Sequence, residues 1–322
     1  MQITVTGASG LLGSSVARAL VADGHAVTTL QRRPSGVDGA RDVLGSVTDP
    51  AAVAEAVAGA EAIVHLAAKV SMMGDASEFE AVNIGGTATL VEAARAAGVP
   101  RLVHISSPSV AHTGASIVGD GAGPASPEHA RGEYARTKAA GEHIALEADS
   151  PAFRVLVLRP HLMWGPGDTQ LTERVIDRAR AGRMPVLGSG AALIDTLFVD
   201  NAVEAIVAAV AAVDEHHGEA LVVTNGQPRP IGELMSRIAI AGGAAEPTLR
   251  IPVGPALAAG SVVERVWALG EHDDEPPLTR FLAEQLSTAH WFDQRRTQEV
   301  LSWRPRISIE EGLKVLAEHY AG

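Results

Sequence analysis

Short apolar, β-branched runs alternate with longer amphipathic runs through the first half of the chain. The runs at 3–6, 26–30, 62–66, 102–106 and 154–158 are rich in Val, Ile, Leu and Thr and predict strands. Between them, at 11–22, 50–57, 83–97 and 133–147, apolar positions recur three and four residues apart and predict helices. Gly98 and Pro100 stop the third of these. Strands that are apolar nearly throughout, each followed by a helix, imply a parallel sheet covered on both faces. The expectation is an α/β fold with a doubly wound parallel sheet, whose ligands bind at the carboxyl ends of the strands.

Beyond Pro160 the periodicity loosens. Helices are predicted at 172–180 and 203–213 and a strand at 220–224, separated by Gly- and Pro-rich connectors and an acidic loop from Glu271 to Pro277. Ser308-Ile309-Glu310-Glu311 has the spacing of a capping box at the start of a last helix. Residues 1–160 therefore read as one domain, to which 195–225 return, and 161–322 as mainly a smaller C-terminal substrate lobe.

The 322 residues carry 26 Lys+Arg against 38 Asp+Glu, a formal charge of −12, with no Lys/Arg-rich block. That balance argues against nucleic acid or anionic lipid as a partner. The absence of cysteine excludes disulfides, thiolate metal sites and a thiol nucleophile, and no metal is expected. The apolar stretch 205–213 is too short to span a bilayer, and no secretory leader precedes the first strand, so a cytoplasmic location is expected.

Candidate chemistry begins at Thr6-Gly7-Ala8-Ser9-Gly10-Leu11-Leu12-Gly13, between the first strand and the first helix. Glycines three apart permit a sharp turn, bring backbone N–H groups to a pyrophosphate, and let the helix sit close to the sheet. At the end of the second strand, a carboxylate would hold the ribose hydroxyl of NAD. Gln31-Arg32-Arg33 stands there instead, and two guanidiniums suit a 2′-phosphate. NADP(H) is expected over NAD(H), its alternative.

Tyr134 and Lys138 lie four apart on one predicted helix face, using one of two tyrosines and one of three lysines. The ammonium is expected to favour the phenolate and bring the phenol toward the range of an acid–base catalyst. The strand at 102–106 ends in Ser106-Ser107-Pro108-Ser109, three hydroxyls of which any could polarise a reacting C–O group.

These motifs resemble the extended short-chain dehydrogenase/reductase family, whose Rossmann-type fold binds a nicotinamide dinucleotide. The resemblance also rests on His65-Leu66-Ala67-Ala68, on Asn83-Ile84-Gly85-Gly86-Thr87, on Arg159-Pro160, and on the closing segment from Phe292 to Leu313. It implies Tyr134 as acid/base, Lys138 as ribose ligand and modulator of the phenol, and Ser107 as holder of the substrate oxygen. It implies cofactor contacts from Gly7, Ser9, Gly10, Leu11, Leu12, Gly13, Arg32, Arg33, Ser46, Val47, Leu66, Ala67, Ala68, Asn83 and Pro160. Gly45-Ser46 follows the third strand where the family often has Gly-Asp near the adenine. Ser109, His161 and Met163 would line the substrate pocket.

Nucleotide-sugar members usually carry Arg-x-Phe/Tyr-Asn where this chain has Arg159-Pro160-His161-Leu162. Residues 159–171 and 195–203 look closer to the 3β-hydroxysteroid dehydrogenase and sterol-4α-carboxylate 3-dehydrogenase branch. The expected reaction interconverts a secondary alcohol and a ketone on an apolar steroid- or lipid-like small molecule. The alternatives are a nucleotide-sugar epimerase or dehydratase and a non-catalytic NADP-sensing regulator. The resemblance also implies a homodimer through the helices at 83–97 and 133–147.

Overall fold

The computed structural model describes residues 1–71, 74–267 and 278–321. Seven parallel strands form the central sheet: β1 Gln2–Thr6, β2 Ala26–Gln31, β3 Arg41–Leu44, β4 Ala62–His65, β5 Arg101–Ile105, β6 Arg154–Pro160 and β7 Glu219–Val223. Their spatial order is β7-β6-β5-β4-β1-β2-β3. The order reverses beside β1, so the crevice for a ligand opens above Thr6, which is in register with Leu30 on one side and His65 on the other. The α/β, doubly wound expectation holds.

Each face of the sheet carries its own apolar layer. Val16, Ala17 and Leu20 of the helix Leu11–Ala22 pack on one face with Ala205, Ile206 and Ala209 of the helix Val199–Ala212. The helices Pro50–Val57, Gly86–Ala96 and Glu133–Glu147 cover the other through Val53, Leu90 and Ala145. A third cluster, around Trp164, Phe198, Leu234 and Leu313, is the core of the C-terminal lobe. Leu301 and Trp303, distant in sequence, return to the first layer.

Local signals set several boundaries as read. The helices Leu11–Ala22, Pro50–Val57, Glu133–Glu147 and Thr172–Arg180 occupy the predicted residues. Ser308 and Glu311 form the reciprocal cap: Glu311 N donates to Ser308 Oγ (3.2 Å) and Ser308 N to Glu311 Oε2 (2.8 Å). The acidic loop at 271–277 lies outside the described residues.

Two elements differ. The strand before Gly45, implied only by the resemblance, is β3, an edge strand with Val43 its one buried residue, so it has little periodicity to read. The helix expected at 83–97 begins at Ala76, capped by Asp75, and widens into a π turn at Glu80–Gly85 before Gly86–Ala96. Asn83 thus sits inside the helical run and not at its start.

Candidate active site

The glycine turn is imposed by contacts a side chain could not make. Gly7 has φ +77°, and a Cβ there would stand 2.8 Å from Ala67 N; one on Gly13 would stand 2.3 Å from Gly7 O. The turn is closed by Gly10 N donating to Gly7 O (3.1 Å). The helix that follows has no side-chain cap and no acid in its first turn. Ser9, Gly10 and Leu11 are exposed and Leu12 half-buried, so the unsatisfied N–H groups of that terminus face outward and fit a pyrophosphate.

At the end of β2 the amide of Gln31 turns inward, donating to Thr29 Oγ1 (3.0 Å) and Asp42 Oδ1 (3.2 Å). Asp42 is the nearby acid, but Ser35 and Thr29 occupy its carboxylate. Burial would raise its pKa; the hydrogen bonds from Ser35, Thr29 and Gln31 outweigh that and lower it. Arg32 and Arg33 are exposed and form no ion pair or hydrogen bond with the other described residues. Ser46 Oγ is shared with Thr48, at 2.8 Å from Oγ1. Val47 is buried under Gly86, where a Cβ would come within 2.6 Å of its Cγ2.

Between β1 and β4 runs a buried relay in which each hydrogen is assigned by its partner. Leu66 N and Ala67 N donate to Thr6 Oγ1 (3.1 and 3.0 Å), so the Thr6 hydroxyl donates to His65 Nδ1 (2.7 Å). The His65 Nε2–H is left for Thr87 Oγ1 (3.2 Å), which donates to Asn83 O (2.8 Å). Burial holds His65 at a pKa of about 3, helped by the Lys138 charge, so the ring is neutral. Asn83 clamps the backbone of Lys69 through both amide atoms and also donates to Thr137 Oγ1 (3.0 Å). Its side chain therefore positions the segment Leu66–Ala67–Ala68 that follows β4.

The structure separates the three serines. Ser106 is buried, with Oγ paired to no protein atom. Ser109 donates its hydroxyl to Ser107 Oγ (2.9 Å), and its N–H bonds the same oxygen. Ser107 has its own hydroxyl proton left, and its side chain is near enough to the Tyr134 phenol to pull that group's pKa down. Ser109, expected on the substrate, is thus the group that orients Ser107.

The phenol runs against expectation. Burial pushes its pKa up, with the Ser107 hydrogen bond pulling the other way, and Lys138 is not among the causes. The ammonium is instead held on the backbone of β5, donating to Ile105 O (2.5 Å). Burial lowers Lys138 itself to about 8, opposed by Glu142. Glu142 is in turn held in a fully buried ion pair with Arg159, whose Nη1 also bonds Gly123 O (2.7 Å).

Across the cleft, Pro160 ends β6 half-buried. His161 Nδ1–H donates to Asp195 O (2.7 Å), which leaves Nε2 as an acceptor; burial lowers the ring to about 4. Leu162 has φ +41°, a left-handed conformation that costs a leucine roughly 1–2 kcal/mol and suits asparagine better. Met163 is half-buried against the first apolar layer, so its side chain contributes packing there.

Sequence reasoning missed the second histidine cluster. His112 and His290 meet Nε2 to Nε2 at 2.9 Å, and His161 lies 6.0 Å from His290 between ring centroids. Asp195, its carboxyl raised to about 6 by burial, takes bonds from Thr224 Oγ1 (2.8 Å) and Gln227 N (3.1 Å). No local spacing signals it; His65 and His104, in register on neighbouring strands with ring centroids 5.2 Å apart, are a separate pair.

With this geometry in hand, the chain matches the NAD dependent epimerase/dehydratase family over residues 3–224. It is 39% identical to a 2-alkyl-3-oxoalkanoate reductase of Stenotrophomonas maltophilia, covering 98% of each chain. It is 29% identical to a 3-beta-hydroxysteroid dehydrogenase of Mycolicibacterium neoaurum, covering 99% of this chain and 91% of that one. Among solved structures, MoeE5 in complex with UDP-glucose and NAD superposes with a TM-score of 0.76 at 24% identity, covering 100% and 99% of the two chains. Among the described residues no helix is long and apolar enough to cross a membrane.

Proposed function

The chain belongs to the NAD dependent epimerase/dehydratase family, and from that premise we propose that it is an NADP(H)-dependent reductase or dehydrogenase of a secondary alcohol or ketone on an apolar, lipid- or steroid-like small molecule. The observation that carries this reading is Ser109 donating to Ser107 beside the Tyr134 phenol, with the buried Lys138 held on Ile105 O at the end of β5.

The bound nicotinamide supplies or accepts the hydride. The protein's share is proton handling and orientation. Tyr134, kept protonated by its buried setting, donates to the carbonyl oxygen during reduction. The Ser107 hydroxyl, aimed by Ser109, stabilises the charge that develops on that oxygen. Lys138, its ammonium fixed to Ile105 O, would hold the nicotinamide ribose. Gly7, Ser9, Gly10, Leu11, Leu12 and Gly13 would hold the pyrophosphate, and the free Arg32 and Arg33 the 2′-phosphate.

Leu162 supports an apolar substrate over a nucleotide sugar: the position keeps a backbone suited to asparagine but carries a hydrocarbon side chain packed on the lobe core. The half-buried or exposed Ile84, Ala88 and Ala140 on two neighbouring helical segments fit a homodimer contact. The test is NADPH oxidation against 3-oxo acids, sterols, simple ketones and UDP-glucose. Reduction of a ketone with NADPH, at least 10²-fold slower in Tyr134→Phe with NADPH affinity unchanged, is expected. Turnover of UDP-glucose without net nicotinamide change would overturn the reading.

A further inference from the structure

A cavity of about 400 Å³ borders the Ser107–Ala111 turn, two of whose residues, Pro108 and Ala111, line it. Its walls include Pro108, Ala111, Ile117, Val222 and Phe292, and its rim is Asp120 to Gly123. Three observations say what it can hold. First, Pro108, one of its walls, follows Ser107 directly in the chain, about 3.8 Å away from Cα to Cα.

Second, the deep wall offers no free charge. Arg159 lines it, but Glu142 takes Nε and Nη2 and Gly123 O takes Nη1. The exposed carboxylate at the mouth, Asp120, repels an anionic end group. Third, the rim is small by composition and has room: a Cβ on Gly123 would meet nothing nearer than Ala111 Cβ at 4.0 Å, and one on Gly121 nothing within 4 Å. Its volume is in the range of small-ligand pockets and equals roughly thirteen waters at about 30 Å³ each.

We propose that this cavity is a subsite for a neutral aliphatic chain of the substrate, entered from the Ser107 side and ending at the Asp120–Gly123 rim. The proposal rests on the ketone-reductase reading and deepens it. Val222 and Phe292 are the buried surfaces the chain covers, and the rim glycines set how long a chain fits.

The experiment measures kcat/KM with NADPH over a series of straight-chain ketones of increasing length, in the wild type and in Gly123→Leu. The wild type is expected to gain up to about 3- to 4-fold per methylene until the cavity fills. Gly123→Leu is expected to leave the shortest ketone within about twofold and lower the longest by at least tenfold. The same length profile in both proteins overturns the subsite. Ala111→Leu, which fills the cavity from the other side, replaces Gly123→Leu should that variant not fold. If the wild type reduces no ketone, the function reading falls but the subsite is still decided by binding. In that case 1-decanol should raise the Tm of the wild type and not of the variant, and equal shifts, or none, would exclude it.

Discussion

Along β1, β2 and β4 the surface of the cleft is built from backbone, with glycine φ values, strand ends and the outward N–H groups of one helix, and side-chain pairs such as Thr6–His65 are buried beneath it. Along β6 and β7 it is built from side chains that meet across long stretches of sequence. His112 and His290 are 178 residues apart, Arg159 and Gly123 are 36 apart, and Arg159 and Glu142 are 17 apart. The first construction tolerates any side chain that points away from the turn but no added Cβ within it. The second tolerates backbone adjustment but not the loss of one partner from a buried pair. The two sides of one cleft should therefore fail differently when damaged.

The largest effect expected on that contrast comes from Glu142→Ala beside Gly13→Ala. Removing Glu142 strands the Arg159 charge in the interior, and breaking such a pair costs about 3–5 kcal/mol. Gly13→Ala forces a Cβ against Gly7 O and displaces the turn itself. Urea unfolding should show Glu142→Ala with the larger loss of stability. Calorimetric titration with NADPH should show Gly13→Ala with the larger loss of affinity, at least about tenfold. Equal losses of both kinds in the two variants would erase the distinction between the sides.

A smaller effect sharpens the backbone side. Arg32 and Arg33 are exposed and uncommitted, so replacing both by alanine should cost little stability. NADPH affinity is expected to fall about tenfold or more while NADH affinity stays within about twofold, with the gap narrowing as salt is raised. NADH bound as tightly as NADPH by the unaltered protein would remove the argument for a 2′-phosphate site.

The two constructions also explain what could be read before the structure. The turn at Gly7–Gly13 and the Tyr134–Lys138 pair are local spacings, and helix geometry alone puts them in place. The edge strand β3, with a single buried residue, carries almost no periodicity. The orientation of Lys138 depends on Ile105, 33 residues away, and the burial that raises the Tyr134 phenol is a property of the whole packed cleft. Ser109 reads as one of three candidate hydroxyls, expected on the substrate, until Ser107 is seen to accept its proton. Local chemistry was legible; its sign, wherever burial decides it, was not.

Acid sets the last and smallest contrast. Burial holds His65 at about 3, His161 at about 4 and His290 at about 3, against an ordinary 6.5. A depressed histidine contributes stability that is present above pH 6.5 and lost as pH falls toward its folded value, because the unfolded chain binds the proton first. Asp195, raised from 3.8 to about 6, acts in the opposite sense: its contribution is present below 3.8 and lost as pH rises through 6. Between pH 6.5 and 4 these imidazoles, joined by His104 and His112, which burial also lowers, therefore oppose one carboxyl, and unfolding free energy should fall on acidification. His161 and His290 belong to the substrate side together with His112; His65, locked between Thr6 and Thr87, lies on the cofactor side beside His104. Limited proteolysis at pH 5 should accordingly open the segment around 112–125 while NADPH affinity is still close to its neutral value. Cofactor binding lost before that segment becomes susceptible would mean that the histidine relay under the glycine turn, and not the one behind Phe292, yields first.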